Sequence, residues 1–164
     1  MIYARAYGIR ATVIRLTNVF GPRACIKSAD FTFNNFFIGL ALQDRDITVY
    51  GDGKQLRNVL YVDDAVEALV QVAEAQKAEG ETFFAAGDAH WSVAQIAEAT
   101  VKHIGSGRVK YVPWPQERKA VDIGDAVISN KKLKDILSWR PGNDLKTGLV
   151  KTRKYYGRCL QKYL

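Results

Sequence analysis

Arg57 follows the turn Gly51-Asp52-Gly53 by four residues and stands on a short apolar segment, Leu56 to Tyr61. A guanidinium offers paired donors in a rigid fork and keeps its charge, so beside a tight turn and a strand it is suited to gripping a diphosphate. A second reading stays open: a surface arginine paired with Asp63 or Asp64. Asn18 follows a segment that reads as a buried strand, and ligands of parallel α/β sheets sit outside the carboxyl ends of strands. An amide there can donate to a phosphate or a sugar hydroxyl, or cap the turn before Gly21-Pro22. Asn34 and Asn35 open an aromatic segment; one of them can reach a ligand while the other caps or faces solvent. Asp63 and Asp64 look like an acid pair, but they stand where a helix begins. Negative charge is stabilised there by about 0.3–1 kcal/mol, so capping is the expected role.

The elements that must hold these residues alternate between strand and helix patterns. Residues 1–8 read as a short helix closed by Gly8, and Ile9 to Phe20 as one buried strand stopped by Gly21-Pro22. Phe31 to Leu42 reads as a helix, and Ile47–Tyr50 and Leu56–Tyr61 as strands joined by the glycine turn. Asp64-Ala65-Val66-Glu67 has the form of a capping box, with Val66, Leu69, Val70 and Ala73 as the inward face of the helix behind it. Glu81–Ala86 and Arg108–Val112 read as strands. Ser92 opens another capping box, residues 116–128 are irregular, Asn130–Leu137 is a short helix, and Asp144 caps a last helix with Leu145, Leu149, Thr152, Tyr156 and Leu160 inward.

The chain has 164 residues, enough for one core. It is 48% hydrophobic and 25% charged, within the ordinary range of globular proteins. Cys25 and Cys159 fit no metal or disulfide spacing, and His90 and His103 are isolated. The expected setting is a reducing cytoplasm. No apolar run reaches the ~20 residues of a membrane span, so no membrane association is expected. The net charge of +7 raises nucleic acid as a partner, but the basic residues are dispersed apart from a C-terminal helix face. Nucleic-acid binding is therefore not expected.

Several ordered motifs are similar to one family. Leu16-Thr17-Asn18-Val19-Phe20-Gly21-Pro22-Arg23, the block Ile47–Asp64, Glu81–Ile96, Pro113–Asp125 and Trp139-Arg140-Pro141 with the last helix resemble the C-terminal half of extended short-chain dehydrogenases/reductases. These are the NAD-dependent nucleotide-sugar epimerases and dehydratases. The resemblance implies an α/β fold: an incomplete Rossmann-type sheet remnant plus the small mixed α/β substrate-binding lobe. Residues 1–164 would form a single unit, with 1–22 the dinucleotide-domain remnant and 23–164 mainly the nucleotide-sugar lobe. It further implies a UDP-, dTDP- or CDP-linked sugar as ligand. Arg57 would contact the diphosphate, Val49 and Tyr50 the base, and Arg118 a second phosphate or ribose oxygen, with Asn18, Asn34 and Asn35 nearby. For Tyr50 a core role, and for Arg118 an exposed loop charge, remain alternatives.

Family members bind NAD through a glycine-rich turn and use a helical Tyr-x-x-x-Lys. No G-x-G-x-x-G or G-x-x-G-x-x-G occurs in the chain, and the resemblance puts the Tyr and Lys ahead of Met1. The expectations are that the chain begins in mid-protein, binds no NAD alone and is inactive alone. Asn58 and Val59 stand where the family pattern has Asp and an aromatic ring. The spacing of Pro113–Asp125 leans to an epimerase or dehydratase over a decarboxylase. The strand around Val13–Leu16 would lose its upstream neighbours, and the chain would pair with another copy through that open edge, or by exchange of the N-terminal segment, to give a homodimer or higher oligomer. The alternative function is a non-catalytic binding or assembly module that pairs with itself or with a separate Rossmann half.

Overall fold

A computed structural model describes residues 2–164. The elements run α1 (Ile2–Tyr7), β1 (Val13–Leu16), β2 (Asn18–Phe20), α2 (Phe33–Leu42), β3 (Asp46–Tyr50), β4 (Leu56–Tyr61), α3 (Val62–Glu74), β5 (Thr82–Ala85), β6 (His90–Ser92), α4 (Val93–Ile104), β7 (Arg108–Val112), α5 (Gln116–Ala120), α6 (Lys131–Leu137) and α7 (Leu145–Tyr156). Single 3-10 turns follow α3 and α7.

The strands form three small sheets. β1 pairs with β5 in parallel, Ile14 opposite Phe83; β3 pairs with β7 in parallel, Val49 opposite Tyr111. β4 lies between β2, parallel to it, and β6, antiparallel to it. The single strand expected over Ile9–Phe20 is therefore two short strands in different sheets. The chain changes sheet at Thr17, whose N–H still donates to Ala85 O at 3.2 Å while its hydroxyl donates to Asn58 Oδ1 at 3.1 Å. The strands flanking the glycine turn also part company, β3 to β7 and β4 to β2 and β6.

Two apolar clusters hold the fold. The larger joins α2, α4 and α7 to β3 and β4 through Ile38, Ile47, Val49, Ile96 and Leu149. The smaller joins α3 and α6 to β5 through Ala68, Phe83, Leu133 and Trp139. α4 starts at the expected capping box: Ser92 Oγ accepts from Gln95 N at 3.0 Å, and Gln95 Oε1 accepts from Ser92 N at 2.8 Å. Asp144 Oδ1 caps α7 by accepting from Thr147 N at 2.7 Å. Leu160 lies beyond α7, in the terminal 3-10 turn.

The α3 expectations need correction. The helix begins at Val62, three residues earlier than the capping-box reading, and has no side-chain cap. Asp64 is 2% exposed and accepts hydrogen bonds from Gly142 N, Asn143 N and Asn143 Nδ2 at 2.9, 3.1 and 2.8 Å. It ties the loop before α7 to the first turn of α3. The buried face is Ala65, Ala68 and Val72, whereas Val66, Leu69 and Val70 are 52%, 42% and 48% exposed. Both stripes have helical spacing. The small alanines let α3 sit close on β1, β2 and β4, and that selects the face.

Candidate functional site

A cleft of about 570 Å³ opens between α2, β3 and the segment after β7. Phe33 and Phe36 of α2 form one wall. Val49 and Tyr50 of β3, with Trp114, form another. Tyr50 and Trp114 pack at 5.4 Å between ring centroids with their planes tilted by 39°. Gly51 makes this possible: its φ is +63°, and a Cβ there would lie 2.5 Å from Trp114 Nε1. Arg57, Arg118 and Asp122 line the polar side of the same cleft. The volume lies within the ~300–1,000 Å³ of small-molecule sites, which pair apolar walls with a few fixed polar groups.

Arg57 is anchored by its neighbours. Its Nη1 donates to Leu56 O at 2.8 Å and to Gly124 O, and its Nη2 faces Asp122 Oδ1 at 3.4 Å. The acidic partner is thus Asp122, from the segment expected to be irregular, and not Asp63 or Asp64. Nε has no partner among the described residues, so the fork is oriented by backbone carbonyls with donor capacity left over. The Asp122 segment is itself tied down. Leu56 N donates to Asp125 Oδ1 at 2.7 Å, Ala126 N to Leu56 O at 2.9 Å, and Ile128 N to His90 Nε2 at 2.9 Å. Arg118 lies on α5, the short helix inside the same segment.

Four of the seven candidate residues, Val49, Tyr50, Arg57 and Arg118, therefore meet in one cleft. Val49 does so as a wall, at 1% exposure. Asn18, Asn34 and Asn35 do not join them. Asn18 opens β2 and its Nδ2 donates to Asn58 O at 2.9 Å. Asn34 Nδ2 donates to Asn18 O at 3.2 Å; Asn35 Nδ2 donates to Val19 O at 2.9 Å and Thr32 Oγ1 at 2.6 Å. Asn34 and Asn35 are 3% and 5% exposed, so neither faces solvent. The three amides staple β2 to α2 and β4, because a three-residue strand leaves backbone groups that side chains must satisfy.

Sequence reasoning missed Phe33, Phe36, Trp114 and Asp122. The aromatic density of 31–42 and the Pro113-Trp114-Pro115 run were the available signals for the first three. Asp122 had none, since it reaches Arg57 across 65 residues.

Asn58, next to Arg57 on β4, is fully buried. Its Oδ1 accepts from Thr17 Oγ1 and from Gly87 N at 2.8 Å, and its Nδ2 donates to Gly87 O at 2.8 Å and Ala89 O at 3.1 Å. A second hollow of about 390 Å³ lies between the turn 87–89, Trp91 and the start of α7, with Asp88 at its rim. Burial pushes the Asp88 carboxyl up, but hydrogen bonds from Lys134 and Asn130 outweigh it and hold the group below the usual carboxylate range.

The glycine turn Gly51–Gly53 does not fit a pyrophosphate cradle. A Cβ at Gly53 would lie 2.5 Å from Val49 Cγ1 and 3.0 Å from Ala94 Cβ, so the turn Gly51–Gly53 is packed by the chain's own side chains and leads into a strand. Tyr50 and Lys54 have Tyr-x-x-x-Lys spacing, but they flank this turn and not a helical face, and Lys54 Nζ pairs with Asp52 at 2.9 Å. Among the described residues no group of three or more potential metal-ligating side chains occurs, and no helix is long and apolar enough to cross a membrane.

Comparison with known proteins places these observations. The NAD dependent epimerase/dehydratase family matches residues 1–86. The chain is 31% identical over 154 residues to UDP-glucuronic acid decarboxylase 1 of Arabidopsis thaliana, covering 91% of this chain and 33% of that one. It is 32% identical to UDP-N-acetyl-alpha-D-glucosaminuronate decarboxylase of Bacillus cytotoxicus, covering 91% and 47%. The chain thus spans a third to a half of the curated relatives it matches. Its backbone superposes on UDP-glucose 4-epimerase of Thermotoga maritima, solved with UDP-glucose, with a TM-score of 0.83 at 28% identity, covering 97% of this chain and 50% of that one. The relatives include decarboxylases, epimerases and a dTDP-glucose 4,6-dehydratase, so the lean away from decarboxylases finds no support in them. With its mixed α/β sheets, its glycine turn before β4 and this match over more than half its length, the chain belongs to the NAD dependent epimerase/dehydratase family.

Proposed function

We propose that the chain binds a nucleoside diphosphate sugar in the cleft between α2 and β3. The observation that carries this is the meeting of Arg57 and Arg118 on one side of a single cleft with Tyr50, Trp114, Phe33 and Phe36 on the other. An aromatic and aliphatic wall suits a base, and a guanidinium held by backbone carbonyls suits a diphosphate. The Thermotoga maritima neighbour was solved with UDP-glucose, and the UDP-N-acetylglucosamine 4-epimerase of Methanobrevibacter ruminantium M1, at 25% identity and a TM-score of 0.82, with UDP-N-acetylmuramic acid. Uridine, thymidine and cytidine diphosphate sugars are the ligand class. Asn18, Asn34 and Asn35 act behind the site, by fixing β2.

Hydride chemistry needs a nicotinamide cofactor, and the described residues offer no cradle for one. On its own, then, the chain binds and does not turn over, and it serves as the nucleotide-sugar half of the fold, with residues 1–22 continuing toward the dinucleotide side. The free thiols of Cys25 and Cys159 suit a reducing compartment such as the cytoplasm. Self-association through the β1 edge is part of the same reading.

Titration calorimetry with UDP-glucose, dTDP-glucose, CDP-glucose and NAD tests it. At least one sugar nucleotide should bind, and Arg57→Leu should weaken that binding by at least about tenfold, or 1.4 kcal/mol. NAD binding more tightly than every sugar nucleotide, or Arg57→Leu binding as well as the wild type, would refute it.

A further inference from the structure

Residues 116–129 follow the cleft wall at Trp114 and bury none of their side chains. α5 has no buried residue, and Val121, Ile123 and Val127 are 72%, 75% and 68% exposed. Yet this stretch supplies Gly124 O and Asp122 Oδ1, two of the three groups that face the Arg57 guanidinium. A segment that buries no apolar side chain takes its position from hydrogen bonds.

Two of those bonds meet at one residue. Leu56 N donates to Asp125 Oδ1 at 2.7 Å, and Ala126 N donates to Leu56 O at 2.9 Å. Bonds that share Leu56 act as a pivot: they fix a point of the segment but not its tilt. A third bond lies off the pivot, where Ile128 N donates to His90 Nε2 at 2.9 Å. Gly124 and Ile128 stand on opposite sides of the pivot, so the bond to His90 sets the tilt at which Gly124 O reaches Arg57. His90 has a firm support of its own. It opens β6 directly opposite Asn58 of β4, which is fully buried and hydrogen-bonded.

We propose that His90 is a positioning residue of the nucleotide-sugar site, acting on Arg57 through Ile128 and Gly124. This rests on the cleft reading above and deepens it. His90 does not line the cleft, so its effect is on the aim of the guanidinium and not on the ligand directly. Nε2 accepts the Ile128 N–H, which places the proton of the neutral ring on Nδ1. A histidine that only satisfied one backbone N–H would steady the loop without changing how tightly a diphosphate is held.

Calorimetry tests this with UDP-glucose, dTDP-glucose or CDP-glucose, whichever binds the wild type most tightly. His90→Phe keeps a ring on the strand and removes the acceptor. It should weaken binding about three- to tenfold, the scale of one net hydrogen bond. His90→Gln puts an amide oxygen near the place of Nε2 and should bind within about twofold of the wild type. In an Arg57→Lys background an ammonium replaces the fork that the carbonyl aims, and His90→Phe should there cost less than about 1.5-fold. No loss in His90→Phe, an equal loss in both backgrounds, or a glutamine variant as weak as the phenylalanine one overturns the proposal. A long-range proton–nitrogen spectrum of the unliganded wild type, which has only two histidines, needs no variant. A neutral His90 should carry its proton on Nδ1, and a proton on Nε2 overturns the proposal. A wild type that shows this tautomer but binds none of the three sugar nucleotides sinks the cleft reading, and this inference with it.

Discussion

The Nη2 of Arg57 faces Asp122 Oδ1 at 3.4 Å, with the two side chains 14% and 25% exposed. The same guanidinium is aimed by Leu56 O and Gly124 O. Carbonyls fix its direction while a carboxylate, at a long distance, competes for its charge. An arginine whose only business was that ion pair would have no need of the two carbonyls.

Removing the competitor should help an anionic ligand. Asp122→Asn keeps the shape and removes one negative charge from the cleft. A sugar nucleotide should then bind about three- to tenfold more tightly, the ~1 kcal/mol of a partly exposed ion pair, while Arg57→Leu loses binding. Calorimetry on the two variants checks the signs. Weaker binding by Asp122→Asn would mean that Asp122 holds the ligand, not the arginine.

Asn58 stands on β4 where the family pattern has an acid, and its surroundings are selective for an amide. Its Nδ2 faces two carbonyl oxygens, Gly87 O and Ala89 O. A carboxylate there would point an oxygen at both and leave two buried acceptors unpaired. Asn58→Asp should cost roughly 2–4 kcal/mol of unfolding free energy at neutral pH, read from urea denaturation. A loss below about 0.5 kcal/mol would show that the turn 87–89 rearranges freely.

Much of this was legible in the sequence where a local rule decides the outcome. Ser92 and Asp144 cap their helices because the cap and its N–H donors lie within three residues of each other. Arg57 was singled out by its place beside a turn of fixed chemistry, while Val49 and Tyr50 came only with the family resemblance; the structure puts all three on one cleft. The reading failed where distant partners decide. Asp64 has cap-like spacing, but its hydrogen bonds go to Gly142 and Asn143, 78 and 79 residues away. On α3 two stripes had helical spacing, and the larger side chains suggested the wrong one. What buried Ala65 and Ala68 was the nearness of three strands, which no periodicity records. Asn18, Asn34 and Asn35 have the polarity of ligand contacts, but a short strand's backbone claimed them first.

Gly148 shows a conflict between propensity and packing. It lies inside α7, where alanine is favoured over glycine by about 1 kcal/mol. Yet a Cβ there would come 2.6 Å from Phe20 Cζ and 2.8 Å from Tyr61 Cδ2. Those two rings are buried and packed edge to face at 5.6 Å, so neither moves cheaply. Gly148→Ala should therefore destabilise by about 1–3 kcal/mol in spite of its propensity. A raised melting temperature would show that α7 can lift off β2 and β4.

Asp144 predicts a pH dependence. Its hydrogen bonds from Thr147 hold its carboxyl below the usual carboxylate range. A folded-state value below the unfolded one means that the unfolded chain binds the proton more readily. The stabilisation is then complete above the unfolded value of about 3.9 and is lost as pH falls through the lower, folded value. Asparagine caps about as well as aspartate but does not titrate. Asp144→Asn should therefore match the wild type near neutrality, and the wild type should lose stability relative to it on acidification below about pH 4. Asp144→Ala should cost about 1 kcal/mol near neutrality. Comparing the two chains cancels the titration of Asp88, whereas His103, lowered by burial and by Lys102 and Lys146, also feels the Asp144 charge and so contributes to the difference. A stability difference between wild type and Asp144→Asn that stays constant through the acid limb would show that the cap carries no charge-dependent free energy.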